Sequence, residues 1–533
     1  MLALCALALG CQPDSVTSKL QMGGASGVLP DTGPVGTSGA AQGGGGGEGG
    51  GSPAAAPCVP SAEDEPDDRF EDSNCDGIDG DVGRAVFVAP AGDDSGRGTR
   101  EDPLATLTAA LIVARAQHDD VYVCNGSYQE AVVIRDQGVR IFGGYDCLAE
   151  WKRVTDRARF TSKRAVPLVI EGGSGVTIER IAFVAPDAAE TEGSSIAAII
   201  QESTGVELRR VQLESGAAGA GQPGRAGTRL LGSAPKGENG SAACLELGCS
   251  AYGQGGEAKA APACEGGGTA EPGGFGGDGA HAGIAAQPGW ASESGAVGGK
   301  VSSTLAERDG QAGGAGATGA LGAASPRALG TFSGSTYLPT NAGAPGSYGK
   351  PGGGGGGGAG APEHYRGDLC CVPGHGASQG GFGGCGGRPG QGGRGGGASI
   401  ALLVIESDVS LIWTRLLSGD GGKGGTGGLG GAPQAGGAAG DVSLLVGIQR
   451  VAGVGGPGGP GGFGGSGGPG GGGPSLALAL VDAPLPRMDG VQVLLGLPGF
   501  GGDAAPDATS SSDAPDGVSA PGYDFSADSS LYF

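Results

Sequence analysis

Short apolar stretches recur along the chain in a repeated phrase. Leu168-Val169-Ile170 leads into Gly175-Val176-Thr177-Ile178-Glu179-Arg180-Ile181-Ala182-Phe183. The same pattern returns 30 residues later as Ala198-Ile199-Ile200 and Gly205-Val206-Glu207-Leu208-Arg209-Arg210-Val211-Gln212-Leu213. Val176, Ile178, Ile181 and Phe183 fall on one face and Thr177 and Ala182 on the other, the two-residue period of a half-buried strand. Ser195-Ile196-Ala197-Ala198-Ile199-Ile200 is echoed by Ser399-Ile400-Ala401-Leu402-Leu403-Val404 and by Ser475-Leu476-Ala477-Leu478-Ala479-Leu480, and Asp408-Val409-Ser410-Leu411 answers Gly205-Val206-Glu207-Leu208. Such units bury their aliphatic faces only against one another, so they predict an all-β parallel β-helix with strands about 4.8 Å apart. Ahead of them, Asp102 and Pro103 read as the start of a helix that puts Leu104, Leu107, Leu111 and Ala114 on one face and covers the first open edge.

Val86-Phe87-Val88, Gly92-Asp93, Gly98-Thr99, Pro103-Leu104-Ala105-Thr106-Leu107, Val121-Tyr122-Val123 and Gly126-Ser127-Tyr128-Gln129-Glu130 resemble the N-terminal coil of pectin-lyase-like right-handed β-helix proteins. The resemblance covers 84–214 well and 398–500 loosely. It implies a right-handed solenoid, and it says little of activity, because that superfamily includes lyases, hydrolases and adhesins.

Glycine interrupts the coils. The chain has 124 Gly and 34 Pro in 533 residues, which excludes an ordinary packed core throughout, and no Gly-X-Y phase makes it collagen. Glycine-rich stretches leave after Leu213, Leu417 and Val451. They carry a Gly-Gly-X phase, as in Gly421-Gly422-Lys423-Gly424-Gly425-Thr426 and Gly380-Gly381-Phe382-Gly383-Gly384-Cys385. Three residues is the repeat of the polyproline II helix. The tracts resemble the polyglycine II bundles of Gly-rich surface proteins, and flexible loops are the alternative.

The charge balance, 32 basic against 55 acidic residues for a net −23, argues against nucleic acid and against a basic patch on anionic lipid, and favours cations. The start, MLALCALALG before Cys11, resembles a bacterial lipoprotein signal with Ala8-Leu9-Gly10-Cys11 as lipobox. Residues 1–10 would then be removed and Cys11 acylated. The tether 11–57, rich in Gly and Ser, would span about 40 Å. An exported chain anchored in a membrane at the cell envelope, probable in the outer membrane or on the cell surface, is the expected location. Of 12 cysteines, removal of Cys5 and acylation of Cys11 leave ten for disulfides. Cys58 with Cys75 and Cys124 with Cys147 are local pairs, while Cys244, Cys249, Cys264, Cys370, Cys371 and Cys385 have no connectivity legible in sequence.

Residues 58–83 are acidic. Within them Asp72-Ser73-Asn74-Cys75-Asp76-Gly77-Ile78-Asp79-Gly80-Asp81 opens like a calcium loop, with oxygen ligands at alternating positions and then a glycine. Asp72, Asn74, Asp76, Asp79 and Asp81 are the candidate calcium ligands, and a solvated acidic linker is the alternative. A lyase or hydrolase would need stacked carboxylates on outward strand positions. The outward column reads Arg140, Thr177, Glu207, Ser410 and Gln492, with one carboxylate and no pair. His364, Cys370, Cys371, His375 and Cys385 have zinc-like proximity, but in an exported chain disulfides are the better reading. No phosphate-loop pattern follows a strand. The coils occupy 84–214 and 398–500 around an insertion at 215–397, and the tail 501–533 reads as disordered, with Leu531-Tyr532-Phe533 able to dock on the last coil. These features predict a structural, adhesive or carbohydrate-binding surface protein without catalytic residues. A polysaccharide or other surface component is its partner class, and an enzyme acting on acidic polysaccharide is the alternative.

Overall fold

The aliphatic phrases pair in the register that their spacing sets. Leu168 lies beside Ala198, Ile178 beside Leu208 and Ala182 beside Gln212, all 30 residues apart. Ser195, Ser399 and Ser475 are successive partners, as are Val206 and Val409. The computed structural model describes residues 58–60, 63–117, 120–163, 166–244, 250–257, 259–266, 269–280, 285, 287, 289, 295–366, 369–442, 451–507 and 513–533.

Three predominantly parallel sheets result. The first runs Ala85–Val88, Asp120–Cys124, Arg140–Asp146, Thr177–Glu179, Val206–Arg209, Val409–Ile412 and Arg487–Asp489, with Lys152–Arg153 antiparallel beside the third of these. The second runs Ser127–Gln129, Ala158–Thr161, Ile181–Val184, Gln212–Glu214, Arg415–Leu417 and Gln492–Leu494. The third runs Val132–Ile134, Leu168–Glu171, Ser195–Gln201, Ser399–Ile405, Ser475–Val481 and Ser519–Asp524, and Ser529–Leu531 closes its end antiparallel. Consecutive strands visit the third, first and second sheets in turn before the next pass repeats the order. No sheet closes on itself, and the arrangement is compatible with a β-helix.

Inward side chains form columns. Ile134, Ile170, Ile200, Val404 and Leu480 follow one another down the third sheet, each 1% exposed or less. Tyr128, Phe160 and Phe183 stack down the second, with ring centroids 4.6 and 5.5 Å apart. Each such side chain contributes about 1.5–3 kcal/mol by leaving water. Between the first and second sheets the chain turns through single residues at positive φ: Arg180, Arg210, Trp413 and, in the last pass, Gly490.

Two elements differ from expectation. The helix spans Leu107–Gln117 and does not start at Pro103. Leu104 instead bridges to Val88, the Asp102 carboxylate accepts from Arg97 N, and Thr106 Oγ1 caps the helix by accepting from Ala109 N. Leu107, Leu111 and Ala114 are buried as the periodicity requires. The tail is not disordered where it is described: Ser519–Asp524 adds a parallel strand beside Ser475–Val481, and Leu531 packs against the core.

All three insertions leave a second-sheet strand and return to a third-sheet strand, at 215–398, 418–474 and 495–518. Their described parts form a packed bundle. Gly381, Gly384, Gly387, Gly390, Gly393 and Gly396 donate to the carbonyls of Gly456, Gly459, Gly462, Gly465, Gly468 and Gly471. On another side Gly422, Gly425, Gly428 and Gly431 donate to Gly397, Arg394, Gln391 and Arg388, and on a third Gly343, Gly346, Gly349 and Gly352 donate to Gly393, Gly390, Gly387 and Gly384. One bond every third residue is the polyproline II repeat, and buried amides that lack partners within their own helix find them in neighbours. Glycine is required by this approach: a Cβ on Gly390 would lie 2.0 Å from Gly428 O, and one on Gly383 1.8 Å from Gly352 O. The Cys264–Cys385 disulfide fastens the bundle across 121 residues.

Candidate functional site

The acidic segment lies on the outer face at the start of the first sheet. There Ile78 joins Phe87, Tyr122, Phe142, Tyr145 and Trp151 in one buried cluster. Tyr145 Oη donates to Asp79 O at 2.8 Å, and Asp81 N donates to Tyr122 Oη at 3.0 Å. Cys58 and Cys75 are joined, as are Cys124 and Cys147.

The candidate calcium residues divide into two groups. Asp72, Asn74 and Asp76 share one turn: Asp72 accepts from Asp76 N and Gly77 N, Asn74 Oδ1 from Asp76 N, and Asp76 from Ile78 N and Val82 N. Asp79 faces away to Arg153 at 3.1 Å, and Asp81 caps the short helix Val82–Arg84 through Gly83 N. Among the described residues no three His, Cys, Asp or Glu side chains are grouped to hold a metal ion.

Asp79 belongs to a buried ion network. Arg153, with its side chain fully buried, also pairs with Glu179 at 2.7 Å, and Asp68 bridges Arg180 and Arg210. Burial pushes the Asp79 carboxyl up to about 6 against the pull of Arg153. Burial also acts on Asp68, but Arg210 and Arg180 outweigh it and hold that carboxyl below its ordinary range. The Arg153 pairs are shut off from solvent, so the network fastens the acidic segment and offers a substrate no access. Buried pairs of this kind set the position of what they join more than they add stability.

The outward column of the first sheet reads Arg140, Thr177, Glu207, Ser410 and Arg487. Arg487 replaces Gln492, which pairs with Arg415 in the second sheet. The cause is Gly490: it occupies the corner position of Arg180, Arg210 and Trp413, so Gln492 already lies beyond the turn. Glu207, the one carboxylate in the column, is paired with Arg209. The column holds no acid and base pair.

Two clefts lie on the outer face of the third sheet. That face is apolar, with Ile196, Ile199, Ile400, Leu403, Leu476 and Ala479 buried beneath Tyr337. Tyr337 stands on a hairpin, Thr331–Ser333 with Thr336–Leu338, carried by the first insertion. On one side a cleft of ≈ 650 Å³ is lined by Arg327, Phe332, Asp482, Tyr523, Phe525 and Asp528. On the other, a cleft of ≈ 660 Å³ is lined by Lys163, Asp187, Glu190, Ser194, Ser335 and Tyr337. Phe332 and Phe525 meet edge to face at 4.8 Å, and both are half-buried. Tyr523 Oη donates to Asp528 Oδ1 at 2.6 Å, and burial with the Asp528 charge pushes this hydroxyl up to about 12, so it remains a donor at neutral pH. The apolar alternation of Ser399–Ile405 and Ser475–Val481 was a signal for these strands, but the hairpin that shapes the clefts comes from a distant insertion.

A family described as Protein of unknown function (DUF1565) matches residues 90–143. None of the curated proteins matches the chain. A solved structure titled Rhamnogalacturonan lyase is similar at 14% identity and a TM-score of 0.16, over 26% of this chain. The chain spans 37% of that protein's length.

The remaining expected sites fall as follows. His375 is buried and its Nδ1 accepts from Ala243 N, while Cys385 is bound to Cys264, so these two members of the zinc-like group are engaged elsewhere. Cys244 is disulfide-bonded. Cys11, the lipidation candidate, and Cys249 lie outside the described residues, as do the side chains of His364, Cys370 and Cys371.

Proposed function

We propose that the chain is a right-handed parallel β-helix, held at the cell envelope by acylated Cys11, that binds saccharide on the outer face of its third sheet. The carrying observation is the pair of clefts flanking one hairpin there, each combining aromatic surface with hydroxyl or carboxylate groups. Saccharide rings offer an apolar face for aromatic contact and hydroxyls for directed hydrogen bonds, and pockets with few convergent polar groups suit them. Right-handed crossing follows the general rule for parallel strands joined within a sheet. The apolar floor beneath the hairpin carries no paired carboxylates, which favours binding over hydrolysis or elimination.

The test is affinity measurement of the full chain against immobilised polysaccharides, with product analysis for new reducing ends or unsaturated sugars. Retention without turnover is the expected result, and clear turnover would replace this reading with the enzymatic one. For the anchor, labelled palmitate should enter the protein and fail to enter Cys11→Ala; equal labelling of both rejects it.

A further inference from the structure

We propose that the cleft beside Phe525 takes a saccharide unit that carries an ammonium group. This deepens the saccharide reading above and rests on it.

The cleft has two kinds of cation-attracting surface. Phe332 and Phe525, both half-buried, line it, and the electron-rich face of an aromatic ring draws ammonium groups. Two carboxylates stand at its edge. Asp528 is held by the Tyr523 hydroxyl at 2.6 Å, a bond that leaves its negative charge intact. Asp482 is exposed, its backbone N donates to Ser526 Oγ, and no Lys or Arg of the described residues pairs with its carboxylate. Arg327 is the one cationic residue in the lining, so the lining carries one net negative charge.

The neighbouring cleft repeats this balance. Asp187, Glu190 and Glu192 face a single Lys163 there. A uronate chain laid across the face would meet repulsion from both clefts, in a protein whose net charge is −23. An amino sugar meets attraction in both, and its pyranose ring still has the aromatic surface to lie on. Exposed charges act within about a Debye length, so the preference weakens as salt rises.

The experiment is calorimetric titration of the full chain with three tetrasaccharides: glucosamine, N-acetylglucosamine and galacturonate, at a pH where the free amine is protonated. Glucosamine tetrasaccharide should bind about 10-fold more tightly than the N-acetylated one at low salt. The ratio should fall toward one in Asp482→Asn, an exposed substitution that leaves the fold intact, while binding of the N-acetylated probe is unchanged. Phe525→Ala should weaken both. Equal affinity for the amine and its acetylated form, or tighter binding of galacturonate, overturns the ammonium assignment and leaves the saccharide reading standing. Binding of none of the three overturns both.

Discussion

Replacing Gly390 by alanine places a methyl carbon 2.0 Å from Gly428 O and 2.8 Å from Leu429 O. Ordinary contact begins near 3.4 Å, so the 421–440 tract must retreat by about 1.4 Å. Gly428 N donates to Gln391 O at 2.9 Å, and Gly467 N donates to Gly428 O at 2.8 Å. A displacement of that size breaks both. Two buried backbone bonds at about 1–1.5 kcal/mol each, with about 1–3 kcal/mol of residual overpacking, give roughly 3–6 kcal/mol. The reduced freedom of alanine in the unfolded chain returns about 0.4–1 kcal/mol. The expected net loss is roughly 3–5 kcal/mol, read from urea denaturation of the full chain followed by circular dichroism. Leu429→Ala is the control: its side chain is 42% exposed on the same tract, and it should change stability by less than about 0.5 kcal/mol. If Gly390→Ala unfolds together with the control, the tracts do not pack backbone to backbone and the bundle argument fails.

Other consequences are open to measurement. Arg153→Met strands the Asp79 and Glu179 carboxylates in the interior and should cost about 3–5 kcal/mol in the same denaturation assay; a neutral result would show that the acidic segment is not clasped. The raised Asp79 carboxyl binds its proton more tightly folded than unfolded, so its contribution is full below pH about 4 and is lost as pH rises through about 6. Melting temperature should therefore slope downward across that window in the wild type and less so in Asp79→Asn; parallel slopes reject the assignment. Cys264→Ser opens a closure of 121 residues and should lower stability by about 2–4 kcal/mol under oxidising conditions, with no effect once the wild type is reduced. Calcium at Asp72, Asn74 and Asp76 is tested by calorimetry: heat abolished by Asp72→Ala and Asp76→Ala supports it, and no heat in the wild type rejects it.

The amino-acid order by itself determined the register of the coils. Period-two burial and a 30-residue shift bring Ile178 to Leu208 and Ser195 to Ser399 whatever lies between, because an aliphatic strand face has no other surface to bury against. The local disulfides Cys58–Cys75 and Cys124–Cys147 were legible for a similar reason, being close in sequence. The Gly-Gly-X phase announced a three-residue helix, but such a helix has no internal hydrogen bonds, so only its neighbours decide whether it is ordered. That decision belongs to tertiary structure: all three insertions emerge at one corner and satisfy one another's amides. The same holds for Asp79, which shares a sequence pattern with Asp72 and Asp76 but is turned to Arg153 by the packing of Ile78 against the first sheet. Gln492 moved off the outward column because one glycine took a corner, a one-residue change of phase that alternation cannot reveal. The clefts arose from residues more than 140 positions apart, Phe332 and Phe525 among them, and no local pattern in the chain foretells that meeting.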